Sequence, residues 1–227
     1  MKRRIALIYG GNSSEWEISV LSGKNVAAAL DREKYEVYEI LLRGTDWRCG
    51  DVQVDKTDFS VTIGGVKTVF DLALIMIHGT PGENGLLQGY FEMLGIPFST
   101  CSSYVSALTF DKFACKTFMR DLGIPMAGDV YLRRGDDFDV DAIVKKLGLP
   151  IFVKPSDGGS SFGVTKVKRK EDLEAAVASA FSEGETAGQI VFSVLLTSAT
   201  SKLVVSGESP RSTHSTEAKN DFRSMAM

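Results

Sequence analysis

The sequence predicts an α/β fold built on a parallel sheet, and three observations predict it. Residues 4–9 are a short apolar run that ends at Gly10-Gly11 and leads into a helical stretch carrying Val26, Ala27, Ala28, Ala29 and Leu30. Residues 70–77 (FDLALIMI) are apolar almost without a break, which suits a strand covered on both faces. Strand-like and helix-like segments alternate along the chain.

Taken in order, Tyr35 to Leu42 is a second strand. Leu87, Phe91 and Leu94, spaced i, i+4, i+7, mark one side of a helix after the 70–77 strand. A Leu-Gly-x-Pro string then recurs at 94–97, 122–125 and 147–150. Each copy reads as a helix closed by glycine, with proline barring its continuation. Val105, Leu108, Lys112, Cys115, Met119 and Leu122 share one side of a helix, which sets a lysine in an apolar stripe. Alternatively, Asp111 caps a new helix and re-aims the register. Pro150 to Lys154 and Val164 to Arg169 are strands joined by a Gly/Ser loop. Leu173, Ala176, Val177, Ala180 and Phe181 line one face of a further helix, with Glu171 and Asp172 in its first turn. Beyond about Thr186 the pattern fades. Residues 188–227 hold 12 Ser and Thr in 40, so apart from one apolar patch, Ile190 to Leu196, that suits a strand, they are expected to be a disordered tail.

The 227 residues are 44% hydrophobic and 24% charged, ordinary for a chain that buries a core. A net charge of −3 and a pI near 5.5 offer no basic surface, so neither nucleic acid nor a membrane is expected as a partner. The apolar run after Met1-Lys2-Arg3-Arg4 is too short for a signal peptide, and no run approaches a membrane span. Cys49, Cys101 and Cys115 are an odd, widely spaced set that makes neither a disulfide framework nor a zinc motif. A cytoplasmic protein with reduced thiols is expected.

Three places carry the chemistry. The first is the loop after the first strand, Gly10 to Glu15. Ligands bind beyond the C-terminal strand ends of open α/β sheets, and a Gly-Gly turn lets them approach the backbone. Glu15 suits a cationic ammonium group there, or else is a solvated carboxylate at a helix start. The second is the glycine-dense loop His78 to Gly85, directly after the 70–77 strand, where His78 is either catalytic or structural. The third is a pair of lysines, Lys112 and Lys154, with the loop Ser156 to Gly163. Backbone N–H groups and hydroxyls beside a lysine make a phosphate cover; the alternative is a flexible surface hairpin.

Four strings, Gly10 to Ser19, His78 to Gly85, Ala107 to Lys112 and Val153 to Gly163, resemble in order and spacing the D-alanine–D-alanine ligases of the ATP-grasp superfamily. The resemblance runs from about residue 4 to residue 186. It implies an N-terminal Rossmann-like parallel-sheet domain that binds substrate (1–103), a central ATP-grasp subdomain or lid (104–187) and an aberrant tail (188–227), with the C-terminal ATP-grasp domain largely missing. By the same resemblance, Glu15 holds the ammonium group of the first D-alanine, with Ser160 hydrogen-bonded nearby as its catalytic companion, and His78 lies by the substrate carboxylate. Lys112 and Lys154 meet the ATP phosphates under a cover made by Gly158, Gly159, Ser160, Ser161 and Gly163. The implied reaction joins two D-alanines for peptidoglycan synthesis. ATP phosphorylates one carboxylate, and the second amine attacks the acyl phosphate. Such states need lysines, backbone N–H groups and Mg2+.

The family continues for well over a hundred residues past the point where this chain loses the pattern. That part supplies the adenine hinge, an arginine and the Glu and Asn ligands for magnesium, none of which is found here, so no metal-ligating residue is assigned. A frameshift or a truncated gene model after about residue 186 is the expectation, tested by translating the encoding DNA in its other frames. Alternatives are an inactive fragment with weak or no nucleotide binding and a ligase taking D-lactate or D-serine second. A homodimer is implied by the resemblance alone.

Overall fold

A computed structural model describes residues 2–158, 163–183 and 189–194. The chain runs β1 (Arg3–Gly10), α1 (Trp16–Ala29), β2 (Tyr35–Arg43), β3 (Asp46–Cys49), β4 (Val52–Gln53), β5 (Val61–Ile63), β6 (Val66–Thr68), β7 (Leu72–Ile75), α2 (Leu86–Leu94), α3 (Ser103–Phe110), α4 (Lys112–Asp121), β8 (Asp129–Arg133), α5 (Val140–Leu147), β9 (Ile151–Pro155), β10 (Thr165–Val167), α6 (Leu173–Glu183) and β11 (Gln189–Val194). No helix among the described residues is long and apolar enough to cross a membrane.

The first sheet has the order β4-β3-β2-β1-β7. β1 lies between β2 and β7, parallel to both, which explains its apolar run from Ile5 to Tyr9. Ala6 and Ile8 join Ile40, Leu42, Ala73 and Ile75 in a core closed by Phe59 and by Leu87 and Phe91 of α2. Leu7 and Tyr9 point the other way and pack against Ala27 of α1. The strand expected at 70–77 is shorter, Leu72–Ile75, although its bonding to β1 runs from the Asp71 N–H to the Met76 N–H. Both faces are covered, as expected, though unequally: Ala73 and Ile75 are buried in the main core, while Leu74 and Met76 are half-buried against the Leu7, Tyr9 and Ala27 cluster.

The second sheet is antiparallel throughout, in the order β10-β9-β11-β8. Leu132, Ile151 and Val153 pack with Ile143 of α5 and with Leu173, Ala176, Val177 and Ala180 of α6, the helix stripe read from the sequence. The strand read at the apolar patch of 190–196 is β11, one residue earlier at its start: it fills the space between β8 and β9. Residues 195–227 lie outside the described ones.

Gly95, Gly123 and Gly148, the glycines of the three Leu-Gly-x-Pro strings, all have positive φ, of 67, 73 and 74°. Each follows a helix, as the punctuation reading requires. The single helix carrying Lys112 in an apolar stripe is corrected. Asp111 is extended (φ −82°, ψ 110°), and its carboxylate accepts the N–H groups of Phe113 and Ala114 at 2.9 and 2.8 Å. A capping carboxylate satisfies two N–H groups that a continuous helix would have used internally. Lys112 therefore opens α4, a helix with no fully buried residue.

Candidate active site

The loops after β1 and β7 meet at the C-terminal edge of the parallel sheet. The Asn12 N–H donates to the Thr80 carbonyl at 2.8 Å. The Ser13 hydroxyl donates to the His78 carbonyl at 2.8 Å and accepts the Glu15 N–H at 3.2 Å. One turn into α1, the Ser19 hydroxyl accepts the Gly10 N–H and donates to the Met76 carbonyl, both at 2.8 Å. Another turn on, the Ser22 hydroxyl lies 3.3 Å from His78 Nε2. Serines spaced at 19 and 22 thus point one face of α1 at the strand ends, which sets the helix's entry. Gly11 (φ +99°) allows the crossing: a Cβ there would lie 2.6 Å from Ile77 Cγ2 and 3.0 Å from the Thr80 carbonyl.

Glu15 sits immediately before α1 and is 4% exposed. The solvated helix-start carboxylate therefore does not describe it. His78 is half-buried. The structure thus brings Glu15 and His78 onto two mutually bonded loops.

Lys112 and the glycine loop form the second part. The Lys112 N–H donates to the Ser156 carbonyl at 2.7 Å, and its Nζ donates to the Gly158 carbonyl at 2.8 Å. The Ser156 hydroxyl donates to Asp111 at 2.7 Å. Lys112 thus holds the root of the loop through backbone carbonyls. Lys154 ends the same strand, half-buried, with its ammonium group below the ordinary lysine range because burial penalises the charge and, secondarily, because the Lys116 charge is nearby. Between the two parts lies an open cleft of about 240 Å³ lined by Glu83, Thr109, Phe110, Lys112 and Gly158. Gly158 and Gly163 are described; Gly159, Ser160 and Ser161 lie outside the described residues.

The sequence reading named Asp111 only as a cap and Ser13 and Ser156 only as loop members, and it missed Ser22 and Lys116 as parts of this constellation. Ser22 and Lys116 carried a signal in hindsight, since each sits one or two helical turns from a residue already singled out. Among the described residues, no group of three or more His, Cys, Asp or Glu side chains is placed to hold a metal.

Two family models match the chain: the D-Ala–D-Ala ligase N-terminus over residues 4–62 and the D-Ala–D-Ala ligase C-terminus over residues 118–199. Together they take in well over half of it. The chain belongs to the D-alanine–D-alanine ligase family. Glu15 lies within the first match and Lys154 with its glycine loop within the second, while His78 and Lys112 lie between the two. The second match carries the family pattern to residue 199, past the motif-based limit near 186.

A D-alanine–D-alanine ligase of Phocaeicola vulgatus is 46% identical over 190 residues, 82% of this chain and 59% of that relative. One of Parabacteroides distasonis is 47% identical over 189 residues, 81% of this chain and 57% of the relative. Among solved structures, D-alanyl-alanine synthetase A of Vibrio cholerae superposes with a TM-score of 0.75 at 29% identity, covering 85% of this chain and 59% of its own. The Bacillus anthracis D-alanine–D-alanine ligase complexed with ATP gives 0.66 at 31% identity, covering 84% and 58%. The chain thus spans somewhat under three-fifths of the curated relatives it matches.

Proposed function

We propose that this chain is the substrate- and nucleotide-binding front of an ATP-dependent D-alanine–D-alanine ligase that works in the cytoplasm. The observation that carries it is the bonding of the Glu15 loop to the His78 loop through Ser13, with Glu15 buried at the helix start. A buried carboxylate and a half-buried imidazole on adjoining loops suit the two ends of an amino acid: Glu15 takes the ammonium group and His78 the carboxylate. Lys154 then serves the triphosphate, and the family resemblance assigns the glycine loop to the phosphates and Ser160 to the same substrate as Glu15. In this scheme the chain's residues bind, orient and neutralise charge. Lys154 supplies positive charge to the oxygens on which negative charge gathers. On this division, residues 1–103 hold substrate and residues 104–187 hold nucleotide.

Calorimetric titration of the purified chain with Mg-ATP, followed by D-alanine, tests the reading. Micromolar ATP binding followed by D-alanine uptake is the expected result for a competent site; no heat with either ligand overturns it for this chain. A second reading is favoured by the lack of a metal ligand set among the described residues: the chain binds ligand but releases phosphate negligibly, since magnesium carries much of the charge stabilisation. D-alanine-dependent phosphate release overturns that second reading. The VanG D-Ala:D-Ser ligase of Enterococcus faecalis also superposes, with a TM-score of 0.69 at 30% identity, covering 86% of this chain and 63% of its own. D-serine is therefore worth titrating beside D-alanine. Light scattering reads the homodimer that the family resemblance implies.

A further inference from the structure

Lys116 lies one helical turn beyond Lys112 on α4, and neither the sequence motifs nor the proposed ligase scheme gives it a task. Its ammonium group is pinned twice, by the Ala127 carbonyl at 2.8 Å and by Asp129 at 3.5 Å. Asp129 is itself 8% exposed in its side chain and also takes Arg120 at 2.7 Å. So much fixing of a lysine on a helix with no fully buried residue is more than helix packing needs.

The sheet register shows what lies opposite. Through β11, Lys154 of β9 shares a row with Tyr131 of β8, and Phe152 shares one with Asp129. Residues in one row share a face. Asp129, Tyr131, Phe152 and Lys154 therefore face one side, while Leu132, Ile151 and Val153 form the core on the other. α4 covers that first side, because Phe113 stacks on Tyr131 with ring centroids 3.9 Å apart. β8 and β9 are two strand spacings apart, roughly 10 Å, a gap that two lysine side chains span.

We propose, building on the ATP-site reading above, that Lys116 is a positioning residue for Lys154: its ammonium group, pinned on Asp129, repels the Lys154 ammonium group and keeps it off that carboxylate on the shared face. Among the described residues one cation is tethered and the other is not, so the untethered one moves. An arriving anionic polyphosphate relieves the repulsion by meeting Lys154. The other charges on or beside this face are Lys112 and Arg120 of α4, Arg133 of β8 and Lys166 of β10. Lys112 is engaged with the loop carbonyls, Arg120 with Asp129, and Lys166 lies 5.6 Å over the Phe152 ring. The lowered proton affinity of Lys154, to which the Lys116 charge contributes after burial, agrees with this geometry.

The test is an NMR titration of the chain with 13Cε-labelled lysines, the Lys154 signal being assigned by its loss in Lys154→Arg. The Lys154 midpoint is expected to move up in Lys116→Met, where the neighbouring charge is gone, and to return to the wild-type position in Lys116→Arg, where the charge is restored. Lys116→Gln, which keeps a donor for the Ala127 carbonyl, replaces the methionine variant if that one does not fold. An unmoved midpoint in the folded neutral variant overturns the proposal, as does a midpoint equally raised in Lys116→Arg. ATP added to the wild-type chain separates this from the nucleotide reading. A Lys154 signal indifferent to ATP overturns the ATP site, while the midpoints alone judge Lys116.

Discussion

Lys112 Nζ donates to the Gly158 carbonyl at 2.8 Å, across 46 residues of sequence. With the Lys112 N–H on the Ser156 carbonyl at 2.7 Å, one residue ties the start of α4 to the root of the glycine loop by both backbone and side chain. The ammonium group meets carbonyl oxygens here, so its first task is to hold the loop.

Lys112→Met is expected to remove the side-chain tie and keep the backbone one. The loss costs about 1.5–3 kcal/mol, the range for a hydrogen bond to a charged group. Its mark is local: amide exchange at Asp157 and Gly158 should quicken, while exchange in β1 should not. Uniform quickening throughout the chain would contradict a loop-holding role.

Asp111→Ala should destabilise more than Asp139→Ala. Asp111 accepts two backbone N–H groups and the Ser156 hydroxyl, whereas Asp139 accepts the Ala142 N–H alone, at 3.1 Å. A lost cap costs about 1 kcal/mol, and the stranded Ser156 hydroxyl, fully buried, adds about another. Urea unfolding of the two variants checks the order; equal midpoints would show that Ser156 finds another acceptor.

Gly11→Ala should disturb the substrate loops directly. The new Cβ would meet Ile77 and the Thr80 carbonyl at a backbone φ of +99°, combining a left-handed conformation with overpacking, for a cost of about 2–4 kcal/mol. Thermal melting reads the cost. The His78 imidazole resonance should shift as well, because the loop carrying it is the one displaced.

Stability at high pH follows from two tyrosines. Burial first, then the Glu39 charge and hydrogen bond, pushes Tyr9 up to about 12. Burial and then the charges of Asp58 and Asp55 push Tyr90 up to about 12. In each case the folded state keeps its proton where the unfolded state has lost it. Their contribution is thus whole below pH 10, the ordinary tyrosine value, and is lost as pH rises toward 12. Lys154 has the opposite sign: its folded proton affinity is lowered, so the penalty of burying its charge lifts as pH rises through its folded midpoint toward the ordinary lysine value. Urea midpoints should fall between about pH 10 and 12, and the fall should be shallower in Tyr90→Phe. An unchanged slope in that variant would mean that Tyr90 titrates normally in the fold.

The α/β class, the strands at 3–10 and 35–43, the α6 stripe and the three glycine helix ends were all legible in the sequence. They are local or periodic properties: alternating burial on a strand, a stripe at helical spacing, and the left-handed backbone that glycine tolerates. Glu15, His78 and Lys154 were also singled out, from their places at strand ends and beside glycine-rich loops, and Lys112 from its place in an apolar helix stripe. The break at Asp111 was visible only as an alternative, because the apolar register continues across it and the deciding hydrogen bonds come from the folded backbone.

What the tertiary structure alone decided is who meets whom. That Ser13 joins the Glu15 loop to His78, that Lys112 spends its ammonium group on Gly158, and that Lys116 and Lys154 share one side of a sheet all depend on pairings 44 to 65 residues apart or on the register of β8, β11 and β9. Local periodicity says which face a side chain takes along its own element. Only the packing of elements against one another sets which charges, carbonyls and hydroxyls come within bonding distance across that face.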